Sequence, residues 1–142
     1  MADLKLLALD SDDLAVISAH TQDAVVRVGD MGYAQRDKRF ALLMNRYDWE
    51  AGTVRNKGVR KRAALHFDRV LSVASAGIDT NAREGVLELL AIAFTETDAP
   101  AGIVELTFAG GGTVRLEVEV LEARLQDLGA AWAAKAQPQH SL

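Results

Sequence analysis

Six basic side chains, Arg46, Arg55, Lys57, Arg60, Lys61 and Arg62, stand within seventeen positions of a chain whose formal net charge is −4, with Tyr47 and Trp49 among them. From Arg55 to Arg62 there is no acid. Aromatic rings interleaved with Lys and Arg can stack a base, grip a phosphate or hold an acidic peptide, because guanidinium forks match anionic oxygens and ring faces accept flat partners. A blander reading stands beside it. Acids from elsewhere in the fold neutralise the cluster, Trp49 closes the edge of the core, and the remaining Lys and Arg guard a strand edge against aggregation.

His66 and Asp68 form a second constellation. Two residues apart in a strand, they project to one face, where a carboxylate can orient an imidazole for general-base work. No nucleophile adjoins them in the sequence, so a half-exposed sheet histidine is the competing reading. Gly110-Gly111-Gly112 precedes a strand rather than the helix N-terminus that a phosphate cradle requires, and reads as a hairpin turn. His20, His66 and His140 are too dispersed to form a metal site. Asp10, Asp12 and Asp13 lack the glycine and terminal Glu of a calcium loop and read as helix-capping acids. The chain has no cysteine, which removes thiolate catalysis, Cys-ligated zinc, iron–sulfur clusters and disulfides. No metal or cofactor is expected.

Charge is distributed unevenly. Residues 36–69 carry ten Lys and Arg against four acids, whereas the flanks on both sides are acidic. This basic island is the feature that separates the chain from an ordinary acidic globular protein with 49% hydrophobic residues. A dedicated nucleic-acid binder is usually basic overall, so nucleic acid is a less favoured partner than an acidic protein or another anionic ligand. No run approaches a membrane span and no secretory signal opens the sequence, so a cytoplasmic protein is expected.

These residues must be held by elements legible in the hydrophobic pattern. Leu4 to Leu9 reads as a short strand. Asp10-Ser11-Asp12-Asp13 supplies an N-cap and first-turn acids for a short helix beginning near residue 12, with Leu14, Ile17 and Thr21 inward. The period then changes to two. Val25–Tyr33 reads as one strand weakened by Gly29 and Gly32, Gln35–Lys38 as a turn, and Phe40, Leu42 and Met44 as one face of a strand running to Glu50. A mobile loop follows, and then Ala63, Leu65 and Phe67 alternate with Arg62, Ala64, His66 and Asp68 in a strand that bends into Val70, Leu71 and Val73. The apolar run Leu87–Phe94 reads as a strand covered on both faces, and Val104–Phe108 with Val114–Val120 as a hairpin around the three glycines. Leu121, Leu125, Leu128 and Trp132 fall at helical spacing and predict a C-terminal amphipathic helix.

The expected fold is therefore α+β. It is a single domain over residues 1–135 with a disordered tail over 136–142. Mostly antiparallel strands form a partly open barrel or two packed sheets, flanked by the two helices. The order of elements resembles the pleckstrin-homology-like roll, with the C-terminal helix closing the open end.

The segments Asp3–Asp10 (DLKLLALD), Gln22–Met31 (QDAVVRVGDM), Arg39–Glu50 (RFALLMNRYDWE) and Arg62–Val70 (RAALHFDRV) together resemble a family of short bacterial cytosolic proteins catalogued as a domain of unknown function. The resemblance covers nearly the whole chain and implies no activity, cofactor or catalytic residue. The expected function is a non-catalytic binding module that uses Arg46, Tyr47, Trp49, Arg55, Lys57, Arg60, Lys61 and Arg62 to engage an acidic protein or phosphate-bearing partner. The alternatives are a small enzyme with a His66/Asp68 site and a homo-oligomeric accessory subunit.

Overall fold

A computed structural model of the chain describes residues 3–48 and 59–129, Val59 by its backbone alone. It opens with β1 (Lys5–Ala8) and α1 (Ser11–Thr21). Asp10 caps the helix by accepting the amide of Asp13 at 2.8 Å, and the Asp13 carboxylate accepts the amide of Leu9 at 3.2 Å. The Asp10 bond satisfies one of the donors that a helix start leaves without an intrahelical partner. Leu14, Ile17 and Thr21 are buried, as the spacing predicts.

The strands follow as β2 (Val25–Arg27), β3 (Met31–Ala34), β4 (Arg39–Asp48), β5 (Val59–Phe67), β6 (Val70–Ala76), β7 (Val86–Glu96), β8 (Gly102–Phe108), β9 (Thr113–Val118) and β10 (Ala123–Asp127). All pairings are antiparallel, along the path β1-β10-β5-β4-β2-β7-β8-β9-β6, with β3 also paired to β4. The sheet does not close, because β1 and β6 end this path without pairing to each other. One contiguous core joins Phe40, Leu42, Leu65 and Phe67 of one half to Leu106, Phe108 and Leu116 of the other. The helix lies chiefly against β7, with further contacts to β1 and β4. It is not long or apolar enough to cross a membrane, nor is any other helix among the described residues.

Three expectations are corrected. The segment Val25–Tyr33 is two strands, interrupted by a 3-10 turn at Val28–Asp30. There the amides of Val28 and Gly29 leave the ladder and donate to the carbonyls of Gly85 and Arg83 at 2.8 Å each. A Cβ on Gly29 would lie 3.0 Å from the Arg83 carbonyl oxygen, so the close approach favours glycine.

The run Leu87–Phe94 is covered on one face, not two. Leu89 and Ile92 are buried while Val86 is 66% exposed and Leu90 41%. A bulge between Leu89 and Ala91 shifts the inward set from odd to even positions, so apolar residues of both parities serve one face. Beside the bulge, the amide of Ile92 donates to Ser18 Oγ of α1 at 2.9 Å.

The C-terminal amphipathic helix is not formed over its first half. Ala123–Asp127 is a strand between β1 and β5, with Ala123, Leu125 and Asp127 inward and Arg124 and Gln126 outward. Its apolar residues satisfy a two-residue period as well as a helical one, and two neighbouring strands with free ladder groups decide between them. Trp132 and the tail over 136–142 lie outside the described residues, and what is described of the segment expected to close a pleckstrin-homology-like roll is strand over Ala123–Asp127.

Candidate functional site

Strand alternation divides the basic island. On β4 the even positions Phe40, Leu42 and Met44 point into the core, and Arg46 and Asp48 continue that row. On β5 the odd positions Ala63, Leu65 and Phe67 point inward, and Lys61 stands directly opposite Arg46. At this end of the core Arg46 donates through Nε and Nη2 to the two carboxylate oxygens of Asp127, both at 2.7 Å. The Arg46 side chain is 5% exposed and that of Asp127 1%. The same carboxylate accepts the amide of Leu4 at 3.0 Å, and Lys61 Nζ lies 3.0 Å from Asp48. Burial tends to raise the Asp127 pKa, but the Arg46 hydrogen bonds, the Leu4 amide and the charges of Arg46 and Lys61 outweigh it and hold the carboxyl below its usual value.

Arg60 and Arg62 project to the opposite, outer face. Arg60 lies over the Tyr47 ring, 4.8 Å from its centroid, and donates to the carbonyls of Asp23 and Asn45 at 3.2 Å. Arg62 reaches Asp30 and Asn45 Oδ1, both at 3.3 Å, with its side chain partly exposed. Of the sequence-predicted binding set, Tyr47, Arg60 and Arg62 thus share the outer face and Arg46 and Lys61 belong to the core end. Trp49, Arg55 and Lys57 lie outside the described residues.

The outer face holds a groove that the sequence reading missed. Its volume is about 440 Å³, and Gly32, Ala41, Leu43, Ala64 and His66 are among its lining residues. Register explains the hollow. Gly32 pairs with Ala41, Ala41 with His66, and Leu43 with Ala64, so three small residues adjoin on one surface where neighbours would otherwise fill the space. The 3-10 turn that splits β2 from β3 brings Asp30 to the groove, and Arg39 and His66 also border it. No feature of the linear sequence marks Gly32, Ala41 and Ala64 as neighbours. Only the pairing does.

His66 and Asp68 are brought together as expected, with Nδ1 3.4 Å from Asp68 Oδ2. The geometry does not make a hydrogen bond, and the buried Nδ1 has no partner. Asp68 is anchored by Arg39 Nε, which donates to Oδ1 at 2.7 Å. Burial lowers the His66 pKa, and the charges of Arg39 and Arg124 act in the same direction, against Asp68 and Glu122. The ring is therefore neutral near neutral pH. Arg124 stands directly across from His66 on β10 and is exposed. Among the described residues no group of three or more His, Asp or Glu side chains could hold a metal ion.

An open antiparallel sheet protein with a small-residue groove on one outer face is the class that fold and site define. Residues 4–140 match the model of DUF2948, described as a protein of unknown function, and the chain belongs to that family. No curated protein and no solved structure matches it.

Proposed function

We propose that this protein is a non-catalytic binding module and that the outer face of β4 and β5 engages an anionic partner, an acidic protein segment or a phosphate-bearing molecule. The observation that carries this reading is the division of the basic island. Arg46 and Lys61 are consumed by Asp127 and Asp48 at the end of the core, whereas Arg60, over the Tyr47 ring, and Arg62, beside Asp30 of the groove, share the outer face. Arg62 holds Asp30 and Asn45 Oδ1 through partly exposed contacts of 3.3 Å each, which a stronger anion can displace. The test is binding of polyglutamate and of inorganic polyphosphate to the full chain at low and moderate salt. Binding that weakens with salt, and that is lost in an Arg60→Glu, Arg62→Glu double variant, supports the reading. Binding unchanged by that variant contradicts it.

A second reading rests on β6. Its residues Val70–Ala76 contain no charge and no proline, and it ends the sheet path with β9 as its paired neighbour. Beyond Val70, whose amide and carbonyl are bonded to Lys38 and Tyr33, an edge without charge or proline can accept a further strand, which favours a homo-oligomeric subunit joined edge to edge. Light scattering that returns a monomer at all accessible concentrations removes this reading.

A further inference from the structure

We propose that the groove on the outer face of β3, β4 and β5 is a binding site for a small organic anion, an apolar body carrying one carboxylate or phosphate group, and that binding is coupled to protonation of His66. This rests on the anion-binding reading of the same face and adds to it the size and chemistry of one ligand. The volume of about 440 Å³ falls in the range of small-molecule sites, and its lining by Ala41, Leu43 and Ala64 suits an apolar body. Polar groups converge at one end. His66 and Arg39 border the groove there, and Arg124 approaches from β10.

Nothing within 4 Å would meet a Cβ on Gly32, so the space above that strand is open to a ligand. Nδ1 is buried while the side chain is 24% exposed, so its exposure belongs to the rest of the ring and Nε2 is the nitrogen left for a ligand. The charged groups facing the ring are Asp68 from the turn after β5, Arg39 from β4, Arg124 from β10 and Glu122 from the segment before it. In the empty groove burial and the two arginines disfavour the imidazolium. An anion placed between Arg39, Arg124 and Nε2 reverses that preference, because an opposite charge at hydrogen-bond distance stabilises the charged ring. The His66 pKa then rises on binding, one proton is taken up, and the site tightens as pH falls through the window between the bound and free values.

The experiment is calorimetric titration of the full chain with benzoate, octanoate and phenyl phosphate. Acetate and inorganic phosphate serve as anions without an apolar body, and benzamide as an apolar body without charge. Each titration is repeated in two buffers of different ionisation enthalpy at pH 8, 7 and 6. The apolar anions are expected to bind at least about tenfold more tightly than either control class. They should take up protons, approaching one where pH lies between the free and bound His66 values, and tighten toward low pH by at most about tenfold per unit. His66→Gln removes the pH dependence, and Gly32→Val or Ala64→Phe, which fill the groove, abolish the binding while circular dichroism stays native. The inference is overturned if apolar anions bind no better than acetate or benzamide, if no proton is taken up, or if both groove-filling variants fold and bind as before. Polyglutamate binding serves as the separate readout. If it persists while the small anions fail, this inference falls and the proposed function stands. If both fail, both fall.

Discussion

Lys61 and Arg62 are neighbours in the chain and opposites in the fold. Lys61 points toward the core end, paired with Asp48 beside the Arg46–Asp127 pair, while Arg62 points to the outer face with a partly exposed Asp30. One strand thus turns a single basic cluster into two populations with different physics. Inside, removing one member leaves an opposite charge buried without compensation. Outside, water and mobile ions replace a lost partner with little penalty. Among the described residues the positive charge of this stretch is therefore not one surface: Arg46 and Lys61 are engaged at the end of the core, and Arg60 and Arg62 face outward.

Truncation on each side gives the largest expected difference. Asp127→Ala is expected to lower stability by about 3–5 kcal/mol in urea denaturation, and Arg46→Ala by a similar amount. Arg62→Ala should change stability by less than about 1 kcal/mol. An Arg46→Met, Asp127→Leu double variant should recover most of the loss, since paired removal leaves no orphaned charge. Equal losses at Arg62 and Asp127 would erase the distinction.

Acid titration separates the same two populations. The folded Asp127 pKa lies below its ordinary 3.8, so its stabilisation is fully present above that value and is lost as pH falls through the folded value. The acid unfolding profile of an Asp127→Asn variant should be flatter below pH 4. On the outer face the Arg60→Glu, Arg62→Glu variant is expected to lose anion binding while its denaturation midpoint moves little.

The smallest effect is assigned to His66. Its folded pKa is lowered from 6.5, so the folded state resists protonation. Stability is then highest above about pH 6.5 and falls as pH drops toward the folded value. His66→Gln should remove that part of the slope, read from melting temperatures between pH 8 and 5 with no ligand present.

How far the sequence reaches is seen in particular residues. A cap within Asp10–Asp13, the inward set of α1, the inward faces of β4 and β5 and the glycine hairpin are all legible, because each depends on local periodicity or turn chemistry. The bulge in β7 is not. An extra residue that resets parity turns a one-faced strand into an apparently continuous apolar run. Leu121, Leu125 and Leu128 mislead because their spacing suits a helix, and the error hides Asp127, the partner that removes Arg46 from any binding surface. Alternation along Arg60-Lys61-Arg62 is readable, and by itself assigns the middle residue to one face of a strand and its two neighbours to the other. The groove is not readable, since Gly32, Ala41 and Ala64 meet through register set by three strands.

The division of the basic island is tested most directly by an amide chemical-shift titration of the isotope-labelled chain with phenyl phosphate at pH 6.5. Shifts are expected to concentrate on outer-face positions around the groove, Gly32, Ala41, Arg62, Ala64 and His66, with Arg46, Lys61 and Asp127 unmoved. Shifts centred on the Arg46–Asp127 end of the core, or none on the outer face at saturating probe, would contradict it.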